Sequence, residues 1–286
     1  MIQPESSMPL SLLCAMVIAT SVQPHGELHE KIAALTREIA AEPTAVRYAR
    51  RGELQRQHRD FERAIADFDQ ALRMDPSSFG VLVLRARASL DSNCPERARD
   101  DLDAFLARQP EHVEARLLSA QTYEALGQPR AAALDYDRAL QGYDRVEPIW
   151  LVRQARAWAA VSDRGLERGL LVLDAAGQRM GHPLTLRQCA IDLCVERGQT
   201  QEALDRIDRL ITESPRPDLW WLRRATVLDD ATRPAEALLA LTEARHAHDA
   251  LHPRLRRSAA GRRVSRDIDD LAQRIGAAQA KGEHRL

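Results

Sequence analysis

Three histidines near the C-terminal end, His246, His248 and His252, are the closest this sequence comes to a metal-ligating cluster. His248 and His252 stand four apart, which puts two imidazoles on one helical face at a spacing zinc can use. Pro253 follows at once and sets the helix to break there, so the cluster reads as a solvent-exposed helix end, with metal binding as the rival. His25 and His29 repeat the spacing near the other end and are read the same way. The sequence holds no phosphate loop, no GxGxxG and no GxSxG, while His29-Glu30-Lys31 begins an HExxH and stops. No nucleophile, base and oxyanion donors converge, so the expectation is no catalytic residue, no metal site and no cofactor. An enzyme or metal protein is the rival of a different class, and stoichiometric metal on untagged protein would favour it.

Cys189 and Cys194 are five apart, so on one helix they point about 140° from each other and cannot pair. Their spacing is not CxxC, and with Cys94 they read as small apolar residues. The densest basic run is Arg254, Arg256, Arg257, Arg262, Arg263 and Arg266. Helical geometry gathers four of these in an arc of about 120° opposite Val264 and Ile268. A solvated outer face accounts for that, with anionic lipid or an acidic partner as the alternative. Nucleic acid is not expected, because no aromatic side chain is interleaved for stacking. The overall balance agrees: 42 acidic against 41 basic side chains leave no bulk field to hold a polyanion.

The elements that would position these residues come from composition and pattern. Apolar residues make up 44% of the chain and aromatics only 4%, which supports a core and favours helix over sheet. Met8 to Gln23 carries no charge, and Leu10 to Ala19 is apolar. That stretch is short of the about 20 residues a membrane span needs and suits a secretory h-region of about 7–15. Ala19 and Ser21 fit the −3 and −1 positions of a cleavage site near Val22. Against this, residues 1–8 contain no Lys or Arg. The expectation is a signal segment over 1–23 and a periplasmic or secreted protein. The alternative is a cytoplasmic protein that keeps the segment as a helix.

A small residue recurs at Ala64, Ala98, Ala132, Gly169, Ala203 and Ala237, at spacings of 34, 34, 37, 34 and 34 residues. Twelve places before each of these, a second series, Gly52, Ala86, Ala120, Ala157, Ile191 and Ala225, keeps the period. A bulky series follows it: Phe68, Leu102, Tyr136, Leu173, Ile207 and Leu241. The one longer spacing is a three-residue insertion, Glu147-Pro148-Ile149. Small side chains let paired helices approach to about 8–10 Å, and the bulky one fills the space towards the next pair. Ile191, Phe105 and Leu210 stand where small residues belong and predict wider spacing in the second and fifth units.

Tyr48 to Gly52 and Ala64 to Pro76 resemble a tetratricopeptide repeat, a family of helix-turn-helix units with a period of about 34 residues. The resemblance implies an all-α, right-handed α-solenoid of six repeats at 45–78, 79–112, 113–146, 150–183, 184–217 and 218–251. Repeat stacks need capped ends. Leu28, Ile32, Leu35 and Ile39 supply one apolar stripe, placing an N-terminal cap in 24–44. Val264, Ile268, Leu271 and Ile275 supply another, placing capping helices and a tail in 252–286 after a break at Gly261. In this family the first helix of each repeat lines a groove for partner segments. The matching positions give Leu117, Gln121, Gln154, Trp158, Gln188, Asp192 and Leu222 as a partner-binding groove. Trp158 is the expected exposed anchor, and Trp221 the expected packed counterpart. The basic clamp by which some members hold a C-terminal carboxylate is absent, its places taken by Ala49, Glu53, Leu84, Glu114 and Leu118. The implied role is a noncatalytic adaptor or scaffold, in a bacterial envelope complex, that takes an amphipathic helix or extended peptide. No small-molecule substrate is expected, and membrane contact is the lesser alternative.

Overall fold

The computed structural model describes residues 25–141 and 146–283; residues 1–23, read as a signal segment, lie outside them. The described residues form fifteen helices and no strand. The chain divides between Val146 and Glu147 into two compact units, at the three-residue insertion. Pro148 and Ile149 are nevertheless helical, with Glu147 as the N-cap and Pro148 in the first turn, where its missing N–H costs nothing.

The first unit runs α1 His25–Ala41, α2 Ala45–Gln57, α3 Phe61–Met74, α4 Gly80–Asp91, α5 Pro95–Leu106, α6 Val113–Ala125 and α7 Pro129–Leu140. The second runs α8 Pro148–Val161, α9 Asp163–Met180, α10 Leu184–Glu196, α11 Thr200–Glu213, α12 Pro217–Asp230, α13 Pro234–Asp249, α14 Pro253–Arg256 and α15 Ala259–Glu283. Within each unit, hairpins pack on their neighbours in chain order, the arrangement of a tetratricopeptide solenoid.

The hairpin turns show why the chain reverses where it does. Arg59, Asn93, Gly127, Gly198 and Thr232 all have φ between 57° and 70°, in the left-handed region that ends a helix. The next residue then donates its N–H back to the helix just finished, as Asp60 does to the Gln55 carbonyl and Arg233 to that of Leu228, each at 2.8 Å. The fourth hairpin departs from this. Only Ser162 separates α8 from α9, and its side chain accepts from the Gly165 N–H at 3.1 Å. Such a tight turn demands close helices: a Cβ on Gly169 would stand 2.6 Å from the Ala155 carbonyl oxygen.

The periodic residues form the cores. Ala64, Ala98, Ala132, Ala203 and Ala237 are fully buried, and none of Phe68, Leu102, Tyr136, Leu173, Ile207 and Leu241 is more than 3% exposed. Removing such a bulky side chain from water contributes about 1.5–3 kcal/mol each. At the ends, Leu28 and Ile39 on α1 are buried and α1 packs on α2, while α15 packs on α13 and α12 through buried Val264, Ile268, Leu271 and Ile275. The expected break at Gly261 does not occur; that residue lies inside α15. It is glycine because a Cβ there would sit 2.2 Å from the Leu255 carbonyl oxygen and 2.5 Å from that of Arg256.

Candidate functional site

The second unit carries a trough between α10 and α12, of about 710 Å³, lined by Leu184, Gln188, Ile191 and Asp192 on one side and Leu219, Trp220 and Arg223 on the other. Leu184 and Leu219 are 49% and 40% exposed, so two large apolar side chains face solvent at its edge. Trp220 is 8% exposed and forms a rigid wall. Arg223 donates to the Asp192 carboxylate at 2.7 Å, a half-exposed pair that fixes the polar side of the trough. Gln188 is exposed and offers both a donor and an acceptor.

Two of the predicted groove residues, Gln188 and Asp192, therefore share this trough. Leu222, half-buried, lies in a smaller one of about 370 Å³ with Thr226 and with Asp267, Asp270, Leu271 and Arg274 of α15. In the first unit, Leu117 and Gln121 are half-buried, and Gln121 donates to the Leu117 carbonyl at 3.1 Å along its own helix.

The placement of Gln154 and Trp158 needs correction. Both are only 8% exposed, and the Arg168 guanidinium of α9 lies 3.8 Å from the Trp158 ring centroid. The close approach of α9 to α8 covers the ring, so Trp158 is packed within its hairpin and presents no exposed anchor. The expectation for Trp221 shifts as well, since it is half-buried while its neighbour Trp220 is the buried ring. Helix α12 touches α11, α13 and α15 and so buries two stripes, Asp218 with Ala225 and Trp220 with Val227, where a single packed face was assumed.

The histidine cluster is also resolved differently. Helix α13 ends at Asp249, and His252 caps the separate helix α14, accepting from the Arg254 N–H at 3.3 Å. His248 is 3% exposed and its Nδ1 lies 3.0 Å from Asp218 Oδ2. Arg216 donates twice to the same carboxylate at 2.8 Å. Burial works against the Asp218 charge, but these donors outweigh it and hold its pKa below the ordinary value. The group ties the start of α12 to the end of α13. At the other end, His29 Nε2 lies 3.0 Å from Nε2 of His58, the C-cap of α2. Burial raises the Cys189 thiol and pushes Cys194 up to about 11, as suits buried, unreactive thiols.

One set of residues escaped the sequence reading. Arg51 grips Asp67 at 2.7 Å, Arg85 grips Asp101 while also reaching Asp69 at 2.7 Å, and Asp135 accepts from Ser119 at 2.6 Å and Arg116 at 2.9 Å. Asp67, Asp101 and Asp135 are buried and recur at the repeat period. Glu53 and Glu114, at the places of the missing clamp, are held internally by Arg56 at 2.8 Å and Arg87 at 2.5 Å.

Comparison with known proteins agrees with this geometry. Residues 49–93 and 83–147 match the family profile of the tetratricopeptide repeat. Mouse sperm-associated antigen 1 is 30% identical over 91 residues, which is 32% of this chain and 10% of that protein; the chain thus spans a small part of that relative's length. Among solved structures, a tetratricopeptide repeat protein from Parabacteroides merdae superposes with a TM-score of 0.55 at 19% identity, covering 87% of this chain and 93% of its own. YrrB, described as a TPR protein with an unusual peptide-binding site, gives 0.52 at 19% identity over 64% of this chain and 93% of its own. The matched profile shows that residues 49–147 carry tetratricopeptide repeats, and the solved structures share the fold of the chain.

Proposed function

We propose that the α10–α12 trough receives a segment of a partner protein, an extended peptide or one face of an amphipathic helix carrying a large apolar side chain. The tetratricopeptide fold serves in general as a scaffold for protein–protein interaction, and this chain is read as a noncatalytic adaptor of that kind. The observation that carries the proposal is the exposure of Leu184 and Leu219 on the two sides of the trough, with Trp220 forming the wall beside Leu219. Apolar anchors beside a fixed polar edge are the composition of a binding hot spot. Gln188 would pair with the backbone of an extended peptide, and the Asp192–Arg223 pair would select the polar groups flanking the anchor. Leu222 extends the proposed surface towards α15, and Leu117 and Gln121 form a separate patch on the first unit.

Selection of peptides from a random display library against the full chain tests this. The expected consensus has one large apolar residue, and Leu184→Ser with Leu219→Ser should weaken binding by about 2 kcal/mol or more at unchanged melting. A consensus without an apolar anchor, or binding indifferent to both substitutions, would refute it. Export to the periplasm and work in an envelope complex belong to the same proposal and rest on the uncharged stretch from Met8 to Gln23. Intact mass from the native host should show a start between about residues 20 and 26; full-length protein in the cytosol would exclude export.

A further inference from the structure

From Ala250 to Arg266 the sequence has six arginines and no carboxylate, in a chain of net charge −1. Elsewhere the structure spends many arginines internally, as at Arg51, Arg85, Arg206 and Arg216. Here it does not. Among the described residues, Arg254, Arg256, Arg257, Arg262 and Arg266 have no carboxylate partner, and Arg263 reaches Asp267 only at 3.9 Å across an exposed helix. The acidic side chains of the next turns do not neutralise the cluster: Asp269 is taken by Arg245 of α13, and Asp270 lines the smaller trough beside Leu222 with Arg274.

The backbone holds these charges in one rigid corner. Glycine at 261 lets the first turn of α15 seat directly on the Leu255 and Arg256 carbonyls. The arginines of α14 and those of α15 therefore cannot drift apart. Arg262, Arg263 and Arg266 are exposed on the face of α15 opposite buried Val264 and Ile268. Leu255, between Arg254 and Arg256 in sequence, is 44% exposed.

We propose that this corner docks on an anionic lipid surface, with Leu255 entering the headgroup layer and the guanidiniums binding lipid phosphates. An exposed apolar side chain among the arginines favours a lipid surface over an acidic polypeptide, which would leave Leu255 in water. Aliphatic arginine stems can lie along the interface while their heads stay with the phosphates.

The test is co-sedimentation of the full chain with vesicles of phosphatidylcholine alone and of phosphatidylcholine with phosphatidylglycerol, at low and high salt. Binding is expected only with phosphatidylglycerol, falling as salt screens it. Each arginine near an anionic surface is worth about fivefold, so Arg262→Gln, Arg263→Gln and Arg266→Gln together should weaken binding about a hundredfold. All three side chains are exposed, so melting should not move, and Leu255→Ser should weaken binding without altering its salt dependence. Equal binding to both vesicle types that survives the triple substitution would overturn the proposal. So would binding to polyglutamate, lost in the triple variant, with no sedimentation on either vesicle: that result would make the corner a site for an acidic protein.

Discussion

Replacing Trp158 by alanine separates a packed ring from a partner-binding one. With 8% of the residue exposed and Arg168 over the ring, truncation removes nearly a whole buried indole. It also opens a void between α8 and α9, which the single-residue turn at Ser162 prevents from closing. Burial of this kind costs about 3–5 kcal/mol on truncation, and losing the cation–π contact is about 0.5–1 kcal/mol of that at a partly exposed site. For a unit of this size such a loss lowers its melting temperature by on the order of 10 °C. The measurement is thermal melting followed by far-ultraviolet circular dichroism, which does not depend on the tryptophan signal. Because each half has its own core, the helical signal should split: an earlier step from residues beyond Glu147 and a later one from those before it. Arg168→Gln should give a shift in the same direction but several times smaller. A melt superimposable on that of the parent would refute the packing argument.

Three other outcomes follow from named contacts. Gly261→Val drives a side chain into the Leu255 and Arg256 carbonyls, so it should cost about 1–3 kcal/mol and speed hydrogen exchange in α15 before the rest of the second unit. Thr232 is β-branched at φ 57°; Thr232→Gly should raise stability in urea unfolding by about 0.5–1 kcal/mol, the relief of strain exceeding the entropy of glycine. Asp218 and Asp69 have folded pKa values below their ordinary ones, so their ionised forms stabilise fully above about pH 4 and this contribution is lost as pH falls through the folded values. Asp218→Asn should flatten the acid limb of a stability–pH curve, and an unchanged limb would show the Arg216 and His248 contacts to be without weight.

The hairpin order and both cores were legible because small and bulky side chains are constrained by helix contact at a fixed period. The same period also carried two quieter series. Asp67, Asp101 and Asp135 pass unnoticed when only apolar positions are compared, and Asn93, Gly127 and Gly198 mark the left-handed turn residue in plain view. Trp158 was not legible. Its outward direction follows from an average hairpin, whereas Gly165, Gly169 and the Ser162 turn bring α9 unusually close and cover it. His248 was misread for a related reason: what buries it is Asp218, thirty residues away in sequence and outside any local pattern. The trough was half legible, through Gln188 and Asp192, but its apolar edge at Leu184 and Leu219 depends on where two helices begin.

Arg85 binds one carboxylate from its own hairpin and another from the hairpin before it. In a stack where each repeat touches only its neighbours, such a residue makes the interface term partly electrostatic. The hydration of charged groups becomes less favourable on warming, so the desolvation cost of burying them declines with temperature while apolar stabilisation per unit area levels off. The joint at Arg85 should therefore loosen less on heating than one built from methyl groups alone, and the middle of the first unit should be the last part of it to fray.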